Sequence, residues 1–173
     1  AAIAPAVGAP PGARVLSSDR IRKALHGVDA QARLPARAYG GDVSEQVYAA
    51  QAERARGLLA AGCCVIADAV FDRPGDRERI AQAAALARAG FAGFWLQAPP
   101  ATLVARVKAR MNDPSDADET IVQRQLARSP AAQTWLQVDA GGTAQATARH
   151  VLRQLDLDAA ARGAAMPASD PPR

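Results

Sequence analysis

GCCVIAD, residues 62–68, is the stretch that decides the fold. From Cys63 to Ala67 it is apolar without interruption, and it is bounded by a glycine on one side and a carboxylate on the other. A strand with one wet face alternates apolar and polar residues. A strand covered on both faces stays apolar throughout, so this run predicts a strand buried inside a parallel sheet. Three other short runs read as strands, residues 14–17 (RVLS), 93–97 (GFWLQ) and 134–138 (TWLQV). Helical patterns separate them. Residues 44–61 carry an Asp42-x-x-Glu45 start signal and a stop at Gly62; residues 78–89 end at Gly90. Residues 101–110, 120–128 and 143–155 complete the helices, and no internal repeat is present. Strand and helix in alternation predict an α/β fold with right-handed crossovers.

At 173 residues and 18.0 kDa the chain has room for one globular domain with a core of its own. Apolar residues make up 49 % but aromatics only 4 %, so Leu, Val, Ile and a few rings must fill that core between Ala-rich helices. No apolar run is long enough to cross a bilayer, and the start, AAIAPAVGAPPG, has neither the basic flank nor the sustained apolar stretch of a signal peptide. The expectation is a cytoplasmic protein with no membrane partner. Cys63 and Cys64 are the only cysteines, and neighbours on a strand point to opposite faces. They are read as buried thiols, since they can neither share a metal nor form an ordinary disulfide. Net charge is +4, from 19 Arg and 2 Lys against 17 acidic residues. The arginines are scattered among acids and no basic run is interleaved with aromatics or glycine, so nucleic acid is not an expected partner. The tail from residue 158 has no periodicity and several prolines, and is expected to be disordered.

In a parallel α/β sheet the chemistry sits beyond the carboxyl ends of the strands. Those ends carry Ser17-Ser18-Asp19, Asp68, Gln97-Ala98-Pro99 and Asp139-Ala140-Gly141-Gly142. Asp19 has two readings. Ser and Asp before a helix are caps for its first amides, while a carboxylate fixed at a strand end, with Arg22 three residues on, suits a base that takes the proton of an attacking hydroxyl. Arg20 and Lys23, in the same turn, are read as solvated. Asp68 reads either as a magnesium-side carboxylate or as a turn aspartate. Residues 106–128 hold basic residues on two helices joined by the turn NDPSDAD. That pattern fits a lid carrying Arg106 and Arg110 over a site, and equally a charged surface hairpin. His26 and His150 have no second ligand at useful spacing, and no GxSxG elbow, HxxxH pair or CxxC occurs.

Taken together, VLSSDRIRKALHGV, RLPARAY, VIADAVFDRPGDRER, FWLQAPPATLVARVKAR, NDPSDAD and WLQVDAGG resemble the small P-loop kinases of the AAA-family ATPase type. These are similar to polynucleotide kinases, gluconate kinases and zeta toxins, and are often fused behind an aminoglycoside-phosphotransferase-like domain. The resemblance covers residues 1–157. It implies a three-layer sandwich on a parallel sheet, with ATP and Mg2+ as cofactors and a small-molecule or nucleotide hydroxyl as phosphate acceptor. It further implies Asp19 as base, Arg22 as acceptor-side cation, Asp68 at the magnesium and Arg110 as the lid cation. Arg106 is the other lid candidate, and Asp139, Gly141 and Gly142 line the adenine pocket.

One departure cuts across these matches. Such kinases open with a strand and a GxxxxGK[ST] loop that cradles phosphates, and no such loop occurs in the 173 residues. Lys23 and Lys108 follow Arg22 and Val107. The chain also begins without Met, and AAIAPAVGAPPGA is similar to the back end of the helix that follows the loop. The expectation is an N-terminally truncated kinase fragment, inactive alone. In the strand order 2-3-1-4-5 that the resemblance implies, the missing strand belongs between those at Cys63 and Gly93. The alternative is a non-catalytic remnant or interaction module on an α/β scaffold.

Overall fold

The computed structural model describes residues 2–109, 115–116 and 134–164, with side chains to residue 158. Within them the chain runs through β1 (Arg14–Ser17), α1 (Ser18–Leu25), α2 (Gly41–Ala60), β2 (Val65–Asp68), α3 (Pro74–Leu86), β3 (Phe94–Gln97), α4 (Pro100–Lys108), β4 (Leu136–Asp139) and α5 (Ala144–Ala164). Short 3-10 turns lie at Ala4–Ala6 and Ala36–Tyr39.

The alternation predicts parallel pairing, and parallel pairing is what forms. β1 pairs with β2 in the register Arg14↔Val65 to Ser17↔Asp68, and β3 pairs with β4 from Phe94↔Leu136 to Gln97↔Asp139. Among the described residues no ladder joins the two pairs, which stand as separate two-stranded sheets in the orders β1-β2 and β3-β4. A cavity of about 1580 Å³ lies between them, lined by Val65, Ile66, Ala67 and Asp68 of β2 and by Phe94, Trp95, Leu96 and Gln97 of β3. The double burial expected for the Cys63–Ala67 run is therefore not reached. Val65, Ile66 and Ala67 are only half-buried, because α2 packs on this strand while the cavity borders it. The two thiols are likewise not buried as expected. Cys63 is half-buried and Cys64 exposed, since the strand begins after them at Val65.

Local chemistry sets the helix ends. Gly62, at φ +81°, takes the left-handed turn that stops α2, with Cys63 N–H donating to Leu58 C=O at 3.0 Å. α2 starts earlier than its Asp42 signal. Gly40 is the cap residue and Asp42 lies inside the first turn. α3 also starts early, at Pro74, whose fixed φ suits a first helical position. It ends before Gly90 because Arg88, at φ 54°, makes the left-handed turn instead, and Ala89 N–H reaches Ala84 C=O at 2.9 Å. α5 continues to Ala164, into the stretch expected to be disordered. The expected helix at 120–128 lies outside the described residues.

The core sits where α2 and α3 meet the first strand pair. Tyr48, Ala52, Ala55, Phe71, Ile80 and Ala83 are buried, and Leu16, Val65, Ala67 and Trp135 pack on them. Phe71 joins the two halves, its ring 5.5 Å from Tyr48 and 5.1 Å, edge-on, from Trp135. No described helix is long and apolar enough to cross a membrane.

Candidate functional site

The register of β1 and β2 sets the first part of the site. Ser17 lies opposite Asp68, so both strands end at the same level, and α1 starts at once with Asp19 in its first turn. The cap is Ser17, whose hydroxyl accepts from Arg20 N–H at 3.5 Å. Asp19 is thus spared the capping duty the sequence suggested for it. Burial pushes the Asp19 carboxyl up from its ordinary 3.8, and the nearby Asp68 charge adds to that. A hydrogen bond from the Ser115 hydroxyl and the Arg22 and Lys23 charges pull the other way without cancelling it. Asp68 itself is exposed at the mouth of the inter-pair cavity. Gln51, 1 % exposed, locks the two strand ends together, its Nε2 donating to Leu16 C=O at 2.7 Å and to Asp68 C=O at 3.4 Å.

Arg20 is exposed, as expected, but the two cations that follow it are buried. Arg22 is buried, with Nη1 donating to Ala38 C=O at 2.8 Å and Nη2 to the Ser44 hydroxyl at 3.4 Å, and its guanidinium lies 4.8 Å from the Tyr39 ring centroid. Both terminal nitrogens are therefore committed to the wall of the site. Lys23, read as solvated, is 1 % exposed. Its ammonium donates to Asp116 Oδ1 at 3.1 Å, while the other oxygen of Asp116 accepts from Leu34 N–H at 3.0 Å and from the Tyr39 hydroxyl at 2.6 Å. Burial raises the Asp116 carboxyl, but those three donors together outweigh it and hold it below 3.8. Burial and the Asp116 charge push the Tyr39 hydroxyl far above its usual value.

The second part of the site lies at the end of β4. Asp139 Oδ1 accepts from Gly141 N–H at 2.7 Å, and Arg106 of α4 donates to Gly142 C=O at 2.5 Å. The three residues expected to line the adenine pocket therefore meet Arg106, the other lid candidate, in one place. Arg106 and Asp139 also border the inter-pair cavity, the same space that Asp68 reaches. Arg110 lies outside the described residues, as does most of the predicted lid.

As a seat for a magnesium nucleotide the described residues fit in part. One exposed carboxylate beside a second is how magnesium is commonly held when phosphate oxygens complete its shell, and Asp68 and Asp19 offer that. Among the described residues no three acidic, His or Cys side chains gather to hold a metal by themselves. The positive-φ glycines, at 8, 12, 27 and 62, open no lysine-tipped nest for phosphates.

Sequence reasoning missed Lys23, Gln51, Tyr39 and Asp116. RLPARAY and NDPSDAD carried two of them as motifs, without the pairing between them. In comparison with known proteins, a family model described as an AAA domain matches residues 3–131. No curated protein and no solved structure matches the chain.

Proposed function

The chain belongs to the AAA domain family, a P-loop nucleotide-binding group, and from that premise we propose that it is part of an ATP-dependent phosphotransferase acting on a hydroxyl. The observation that carries the reading is Asp19: a half-buried carboxylate in the first turn of α1, just beyond the level where Ser17 faces Asp68, already accepting a hydrogen bond from a hydroxyl. A carboxyl raised toward neutrality by burial is better matched to proton transfer than an exposed one. Asp19 takes the proton of the acceptor hydroxyl. Arg22 balances the resulting charge and holds Tyr39 and the start of α2 as the acceptor wall. Asp68 is the magnesium-side carboxylate, Arg106 with Asp139, Gly141 and Gly142 shapes the base pocket, and Arg110 supplies a lid cation. ATP with Mg2+, when bound, supplies the phosphoryl group. The setting we propose is the cytoplasm, with an aminoglycoside-phosphotransferase-like domain as a fused or contacting partner.

We further propose that the strand and GxxxxGK[ST] loop that grip the phosphates belong to a segment ahead of Ala1, and that these 173 residues alone bind ATP weakly and do not transfer phosphate. The separation of the strand pairs by a cavity and the lack of that loop in the sequence support this. The same two observations favour the second reading, a non-catalytic remnant or interaction module. Calorimetry decides the first point, because micromolar, magnesium-dependent ATP affinity of the 173 residues overturns it. For the phosphotransferase itself, the longer reading frame, carrying an apolar strand and the loop, is assayed for transfer from labelled ATP. Asp19→Asn is expected to abolish transfer and leave ATP binding intact. A start codon at Ala1 in the genomic DNA, or equal transfer by Asp19→Asn, overturns the catalytic reading.

A further inference from the structure

A second cavity, of about 580 Å³, shares residues 91–94 and Trp135 with the inter-pair cavity but none of the strand-end carboxylates. Its other walls come from the start of α3, with Arg77 and Glu78, and from Asp158 of α5. That size is ordinary for a pocket that takes a small molecule. Two rings make a corner in it. Trp135 and Phe91 both line the cavity, with centroids 5.9 Å apart and planes tilted by 59°. Gly93 seats the indole, because a Cβ there would stand 2.5–2.6 Å from Cγ, Cδ1 and Cδ2 of Trp135 at once. Such near-equal distances mean that the indole lies face-on against the glycine, and any side chain at 93 would dislodge it. Phe91, in turn, stays 37 % exposed, so its ring is open to a ligand.

The charged groups of the lining decide what kind of molecule fits. Glu78 and Asp158 are exposed. Arg77 is 7 % exposed, and its Nη1 is spent on Phe71 C=O at 2.6 Å and on Asp72 C=O at 3.2 Å. The accessible charge is therefore negative, and it stands beside two rings whose π-faces also attract positive charge. An anion would meet two carboxylates and find the arginine withdrawn, while a neutral apolar molecule would leave both carboxylates unused. We infer that this cavity binds a small organic cation, a substituted ammonium with an apolar body, seated in the corner of Trp135 and Phe91 and facing Glu78 and Asp158. Ring centroids 5.9 Å apart let one cation lie within about 6 Å of both, the reach of a cation–π contact. The site stands apart from the phosphotransferase reading, since none of the residues assigned to that reaction lines this cavity. Exposed cation–π contacts and exposed ion pairs are each weak, so the affinity expected is millimolar.

The test titrates choline and its uncharged carbon isostere, dimethylbutanol, into the full chain and follows the indole N–H resonance of Trp135. Trp95, which lines only the inter-pair cavity, is the internal control. The expected result is a saturable shift at Trp135 and none at Trp95, with choline bound about fivefold or more tighter than dimethylbutanol. Glu78→Gln/Asp158→Asn changes two exposed side chains and is expected to bind the two probes alike. Phe91→Leu is expected to weaken choline and leave dimethylbutanol nearly unchanged. If Phe91→Leu does not fold, the charge variant still answers, because it leaves both rings in place. No saturable shift at Trp135 with choline, equal binding of the two probes by the unaltered chain, or a preference for choline that survives the loss of both carboxylates overturns the inference.

Discussion

Removing Asp116 is expected to cost the fold more than removing Lys23, although both changes break the same ion pair. Asp116→Ala leaves the Lys23 ammonium buried at 1 % exposure with no hydrogen-bond acceptor among the described residues, and leaves Leu34 N–H and Tyr39 OH unfilled as well. An orphaned buried charge of this kind costs about 3–5 kcal/mol. Lys23→Met keeps the length of the stem and removes the charge. Asp116, at 9 % exposure, then still accepts from Tyr39 at 2.6 Å and Leu34 at 3.0 Å, so the loss is one charge-assisted bond, about 1.5–3 kcal/mol. In Lys23→Met/Asp116→Ala no charge is left to strand, and the double variant is expected to lie closer to Lys23→Met than the sum of the two losses predicts. Urea unfolding followed by far-ultraviolet circular dichroism measures all three. The reasoning is refuted if Asp116→Ala loses less than about 1 kcal/mol, the value of an exposed pair, or if Lys23→Met proves the more damaging change.

Three other outcomes follow from the same geometry. The Asp19 carboxyl is raised from 3.8, so the folded state holds that proton more tightly than the unfolded chain, and stability falls as pH rises from 3.8 through the raised value. Asp19→Asn is therefore expected to be the more stable protein at pH 7 and to lose that advantage below 3.8, in thermal melts across pH; a constant difference contradicts the assignment. Phe71→Ala removes a ring that is 3 % exposed and touches both Tyr48 and Trp135. A loss of about 3–5 kcal/mol in urea unfolding is expected, with Trp135 fluorescence shifted to the red. Arg106→Ala frees the Gly142 carbonyl at an exposed site, so stability changes by about 1 kcal/mol or less. Hydrogen exchange at the Gly141 and Gly142 amides is expected to quicken, and unchanged exchange contradicts the tie between α4 and the β4 loop.

Much of the scaffold was legible because its signals are local. β1 falls on the predicted residues, β3 within one residue of them, and Gly62 stops α2 where a glycine after the last turn should. The misplaced ends have local causes too: Gly40 rather than Asp42 caps α2, and Arg88 turns left-handed before Gly90 is reached. The strand-end residues Asp19, Asp68 and Asp139 were found by the same logic, since the carboxyl end of a parallel strand can be read from where an apolar run stops.

The one-dimensional pattern was thus sufficient for the α/β class, the parallel direction of the strands and which carboxylates lie at their ends, because each depends on neighbours a few residues apart. It said nothing of what those carboxylates touch. Lys23 and Asp116 stand 93 positions apart, and only the folded chain turns a lysine that looked solvated into the buried centre of a cradle. The same holds for Gln51, whose place between two strand ends depends on the register of β1 against β2. Propensity and periodicity act over one or two turns of chain, whereas desolvation and hydrogen-bond partnership are set by whichever surfaces are brought together in three dimensions, and here those surfaces come from stretches as far as 93 positions apart.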